Sequence, residues 1–127
     1  MNKQDIIDLF NSWNNALKTG DPKQVAALYA VDAILLPTVS NKVRHNHKEI
    51  EDYFVHFLAK KPEGTLNESN VRIFGEIALN SGIYTFTFAD GSSVEARFTY
   101  VYARKEGHWE IIEHHSSMMP EPTWVGD

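Results

Sequence analysis

Residues 82–115 read GIYTFTFADGSSVEARFTYVYARKEGHWEIIEHH. Over 82–88 aromatic and β-branched residues alternate strictly, the mark of a strand. Asp90-Gly91 is a hairpin signal. Residues 94–104, VEARFTYVYAR, form a longer strand, Glu106-Gly107 turns the chain again, and Trp109 to His115 is the last strand. Upstream, Val71-Arg72-Ile73-Phe74 is a further strand. Strands in hairpin succession predict an antiparallel sheet.

The first half of the chain follows a helical period. Ile6, Phe10, Trp13 and Leu17 recur at spacings of four, three and four, which places them on one helix face. Asn2 or Asp5 caps the start, and Gly20 stops the helix. Asp21-Pro22 restarts it, with Val25, Leu28 and Tyr29 as the apolar face of a second helix. Asp32 to Leu36 is a short strand ended by Pro37. Asn46 with Glu49 resembles a capping box. It opens a third helix carrying Ile50, Phe54, Phe57 and Leu58, stopped by Lys60-Lys61-Pro62. The expected fold is α+β: three helices and about five to six strands, in one domain spanning 1–127 with an irregular tail from about 117. Three helices cover only one face of such a sheet, so the other is polar or buried by a partner.

Composition narrows the function classes. The chain has 127 residues and a formal net charge of -5. Excess acid disfavours nucleic-acid backbones, which need clustered Lys and Arg. No apolar run approaches the ~20 residues of a membrane helix, so no membrane partner is expected. The start, MNKQDIID, lacks the apolar core of a secretory leader. There is no cysteine, hence no disulfide, zinc ribbon or thiol nucleophile, and the expected location is the cytoplasm. No dinucleotide glycine motif is visible, so no cofactor is expected.

Three runs carry a family resemblance: DPKQVAALYAVDAILLPTVSNKVR (21–44), IEDYFVHFL (50–58) and YVYARKEGHWEIIEHHSSMMP (100–120). Together they resemble the nuclear transport factor two-like superfamily. They are most similar to the association (hub) domain of calcium/calmodulin-dependent protein kinase II and its stand-alone bacterial relatives of the SgcJ/EcaC, SnoaL-like type. The resemblance implies a cone: a strongly curved antiparallel sheet wrapped around the first helix, with a cavity at the open end. It implies self-association but no phosphoryl transfer, because every kinase motif is absent. At the positions matching the hub's cavity arginines this chain has Thr87, Tyr100 and Ser116.

Within that frame a few residues are candidates for chemistry. Strand neighbours point to opposite faces, so His114 and His115 cannot hold one metal together. The resemblance turns His114 inward with Ser116 and His115 outward. His114 is then either a general acid or base near neutral pH or a hydrogen-bonded structural residue. Asp32 is the carboxylate that would complete an acid–base pair with it, or else a turn residue. His45 and His47 flank a capping Asn46 and gather no third ligand, so no metal is expected. Parity and resemblance predict a cavity lined by Tyr53, Thr85, Thr87, Tyr100, His114 and Ser116, with aromatic walls from Trp13 and Phe98. Arg97, Thr99, Val101 and His115 fall on the outer face and are the expected interface. Met118, Met119 and Trp124 are large for a Pro-broken tail, and suit packing on a neighbouring subunit or closing the cavity mouth. The functional expectation is a homodimer or larger ring whose cavity takes an unidentified small molecule. Its alternative is a cofactor-independent cyclase, isomerase or dehydratase working through His114.

Overall fold

The computed structural model describes residues 2–121. Helix α1 (Lys3–Lys18) starts on a reciprocal cap. The Asn2 side chain accepts from the Asp5 N–H at 3.1 Å, and the Asp5 carboxylate accepts from the Asn2 N–H at 2.9 Å. The stripe Ile6, Phe10, Trp13 and Leu17 is buried, as its spacing requires. Helix α2 (Pro22–Ala26) starts on the Asp21 cap but is shorter than its apolar pattern suggests. The Leu28 carbonyl already accepts a sheet hydrogen bond from the Ile111 N–H at 3.0 Å. Tyr29 therefore opens strand β1 (Tyr29–Leu36) instead of extending the helix.

Helix α3 (His47–Leu58) is capped by Asn46, whose side chain accepts from the Glu49 N–H. The Glu49 carboxylate does not return to Asn46. It accepts from the His45 N–H and meets the His45 ring, both at 2.9 Å. Four strands follow: β2 (Glu63–Phe74), β3 (Ile77–Thr87), β4 (Ser93–Lys105) and β5 (His108–Met118). β2 starts at Glu63 although EGTLNESN has no apolar alternation. Pairing with β3 holds it, and the Asn14 amide clasps its start by bonding both the N–H and the C=O of Gly64. β5 likewise outruns its pattern, because Ser117 and Met118 pair with Arg97 and Ala96. Trp124 and the rest of the tail beyond 121 lie outside the described residues.

The sheet order is β1-β5-β4-β3-β2. Every neighbouring pair is antiparallel except the β1–β5 edge, which is parallel. Register shifts at Leu66/Glu68 and Val101/Tyr102 bend the sheet. Gly82, paired with Ser69, stands next to the first of them. A Cβ there would clash with the Glu68 carbonyl oxygen, so only glycine lets the two backbones close. The helices pack inside the bend, where Trp13, Phe54, Tyr84, Tyr100 and Tyr102 form an aromatic core. Among the described residues, no helix is long and apolar enough to cross a membrane.

Candidate functional site

The aromatic core does not fill the wide end of the cone. A cavity of about 190 Å³ remains between α3 and the sheet. Tyr53 and Phe57 form its α3 wall, Phe86 and Phe88 its sheet wall, and Trp13 its floor. Pro37, Thr38 and Val39, directly after β1, frame the mouth, with Lys60 at the rim on the Phe88 side.

One line of polar groups crosses this apolar space. Trp13 Nε1 donates to the Tyr29 hydroxyl at 3.1 Å, and that hydroxyl meets His114 Nδ1 at 2.8 Å. His114 Nε2 meets the Tyr84 hydroxyl at 3.2 Å, and Tyr84 donates to Ser116 Oγ at 2.6 Å. Ser116 Oγ in turn lies 2.5 Å from Thr38 Oγ1. The Tyr84 bond to Ser116 sets the direction of the chain as far as Ser116. An indole N–H only donates, so Tyr29 accepts from Trp13; because Tyr84 spends its proton on Ser116 it accepts from His114 Nε2, and Tyr29 gives its own proton to His114 Nδ1. Nδ1 is then an acceptor, which leaves the proton of the neutral ring on Nε2, where it is given to Tyr84. Tyr84 gives its own proton to Ser116, and Ser116 and Thr38 share one further hydrogen bond in which either hydroxyl can donate.

Burial keeps every member in that protonation state. His114 is 3% exposed, and desolvation, helped by the neighbouring His115, lowers its pKa to about 3. Desolvation also pushes the Tyr29 and Tyr84 hydroxyls up, so they remain protonated donors. Tyr100 stacks on the His114 ring at 4.1 Å and 20°, and Trp13 meets it edge-on at 5.6 Å. Among the described residues no carboxylate bonds either ring nitrogen. His114 is thus a fixed, neutral orienting group, and the expectation of titration near neutral pH is corrected by its desolvation.

Trp13, Tyr53, His114 and Ser116 line the cavity. Phe98 and Tyr100 share its face but lie behind it, Phe98 stacked on Tyr84 at 4.7 Å and Tyr100 on His114. Thr85 and Thr87 do not line it. The hairpin pairs Thr87 with Ser93 and Thr85 with Glu95, which turns both threonines to the outer face and brings Tyr84 and Phe86 inward. Thr87 is exposed, so it cannot stand where a hub's cavity arginine would. Asp32 is also exposed and far from the role of a partner to His114. The register break between Tyr29 and Ile34 swings Val31 and Asp32 out together at the sheet edge.

Of the polar chain, Tyr29, Thr38 and Tyr84 are the members that sequence reasoning missed. For Tyr84 the signal was present. A turn pairing residue 87 with 93 also pairs 84 with 96, which places Tyr84 on the Ala96, Phe98 and Tyr100 face. His45 is spent on Glu49, while His47 Nε2 donates to the Tyr29 carbonyl. Among the described residues no three His, Asp or Glu side chains gather. Arg97, Thr99, Val101 and His115 lie on the outer face, with Thr99 directly opposite His115.

The family model for the calcium/calmodulin dependent protein kinase II association domain matches residues 2–120. Among solved structures, one assigned to that domain from Xanthomonas campestris is 49% identical. It is covered over 95% of this chain and 90% of that one, with a TM-score of 0.91. A nuclear transport factor two-like protein with a cystatin-like fold from Novosphingobium aromaticivorans superposes at TM-score 0.78 and 12% identity, over 95% and 84% of the two chains. A Parabacteroides distasonis protein assigned as a ketosteroid isomerase does so at 0.75 and 20%, over 91% and 86%. The last two share the fold alone. No protein with a curated description matches the chain. The match over nearly the whole sequence, together with the 49% identical relative, shows that this chain belongs to the calcium/calmodulin dependent protein kinase II association domain family.

Proposed function

We propose that this protein is a self-associating module of the cytoplasm that binds a small apolar molecule in the cavity of its cone. The observation that carries the binding half is the state of His114. It is the one titratable group in the polar chain across the cavity with a pKa ordinarily near neutrality. Both its nitrogens are tied to tyrosines and its charged form is suppressed. Acid–base turnover needs a group poised near the working pH. Binding needs apolar walls and a few fixed polar groups, which is what surrounds the space. Family membership supports the self-association half, through the uncovered outer face of the sheet.

The size of the space sets the scale of the ligand. A cavity of about 150 Å³ accepts a benzene ring, so about 190 Å³ holds one ring with a small substituent. Titration of the ¹⁵N-labelled protein with one-ring apolar compounds tests this. The Trp13 indole N–H and the His114 ring should shift together and saturate. Absence of any saturable shift at millimolar ligand would overturn the binding reading.

A further inference from the structure

Burying a polar group without a partner is costly, and one end of the core holds three side chains of this kind. Asn80 is 0% exposed on β3, a poor place for Asn by strand preference. Among the described residues neither its amide nitrogen nor its amide oxygen has a hydrogen-bond partner. The same holds for the hydroxyls of Tyr100 and Tyr102, both sealed in the core. Desolvation pushes both hydroxyls up, so each keeps its proton. None of the three lines the cavity, and none is a member of the polar chain from Trp13 to Thr38.

Tyr100 and Tyr102 stand two residues apart on β4, and their rings stack at 5.7 Å and 15°. Near-parallel rings on one strand face send their hydroxyls inward side by side. A gap of about one ring spacing is too long for one hydrogen bond and suits two in series, roughly 5.5 Å. Asn80 is directly opposite Tyr100, and the short Ala78 is directly opposite Tyr102. We infer that ordered water is bound at this end of the core, bridging the Tyr100 and Tyr102 hydroxyls and answering the Asn80 amide. Water suits the chemistry, since it donates two hydrogens and accepts two, and the orphaned atoms include both donors and acceptors. An ion suits it less, because none of the three side chains carries a countercharge. A larger ligand has no way to so sealed a place. The site stands independently of the cavity reading.

Asn80→Leu, close to Asn in size, separates bound water from bare orphans. A bare amide replaced by an apolar side chain would raise the thermal midpoint, because its penalty disappears. With water bound, the variant takes away the water's partner, and the midpoint should fall by roughly 3 °C or more. Oxygen-17 relaxation dispersion on the same samples counts long-lived internal water, and the count should fall by about one molecule or more. A midpoint at or above that of wild type overturns the inference, and so does an unchanged count. Tyr102→Phe deletes a single oxygen and decides the matter should Asn80→Leu fail to fold. Its midpoint should also fall, and a rise overturns the inference. In the double variant the losses should sum to less than the two separate ones, because both act on shared water. Strictly additive losses overturn the shared site.

Discussion

His114 is the residue on which the chemistry of this molecule turns. An imidazole ordinarily titrates near pH 6.5, but here the charged ring would have to sit among Trp13, Tyr29 and Tyr100 without solvent. The folded-state pKa of about 3 is far below that of the unfolded chain. Between these values the unfolded chain binds the extra proton, so stability rises with pH through that window. The contribution is fully present above about pH 6.5 and is lost as pH falls towards 3, at up to roughly 1.4 kcal/mol per unit. His114→Gln keeps a donor and an acceptor but cannot titrate. Between pH 7 and pH 5 the urea midpoint of the wild type should fall more steeply than that of the variant. Equal slopes would mean that His114 is protonated in the fold, and the neutral orienting role would be lost.

At the scale of elements, one glycine lets two strands close beside a bulge in the sheet. The β2 bulge and Gly82 let two backbones approach where any side chain would meet the Glu68 carbonyl oxygen. Gly82→Ala should cost on the order of 1–3 kcal/mol by forcing the strands apart. Its thermal midpoint should drop, and one-ring ligands should bind more weakly at temperatures where the variant is still folded. A midpoint equal to wild type would show that the bend does not depend on this contact. The same strands show what the sequence makes legible. The helix stripe Ile6, Phe10, Trp13 and Leu17 and the hairpin succession follow from period alone, because burial enforces it. The facing of β3 does not follow from period alone: Ile83, Thr85 and Thr87 suit a strand as well as Tyr84 and Phe86 do. Register across the turn decides it, and Glu95 opposite Thr85 was the readable clue. Asp32 and Tyr29 were hidden by a register break, a tertiary event that leaves no trace in local spacing. Thr38 joins the site only because the chain after β1 runs on beside β5, where the parallel register sets Leu36 against His115, a contact spanning 78 residues.

At the scale of the whole molecule, the sheet has one face wrapped on helices and one with none. Along β4 the outer face runs Arg97, Thr99, Val101. Thr99 lies between Ser81 and His115, and Val101 between Leu79 and Glu113. Leu79, Thr99 and Val101 are half-buried even without a partner, while Arg97 and His115 are exposed at the edge of this strip. An apolar centre flanked by charge is the usual anatomy of an interface. A second copy laid on this face in a two-fold arrangement would meet the same strip, matching apolar centre to apolar centre. A stable contact needs at least ~1,000 Å² of buried surface, which the exposed face of a five-stranded sheet has room to supply. The expectation is a dimer or larger assembly at micromolar concentration, measured by light scattering on a sizing column. Thr99→Arg puts an unpaired charge at the centre of the strip without touching the core, so the assembly should shrink towards the monomer. The cavity lies on the other face, so the affinity for one-ring apolar compounds should stay within about twofold of wild type. A wild-type chain that elutes as a monomer removes the self-association reading. An assembly unaffected by Thr99→Arg moves the interface to another surface.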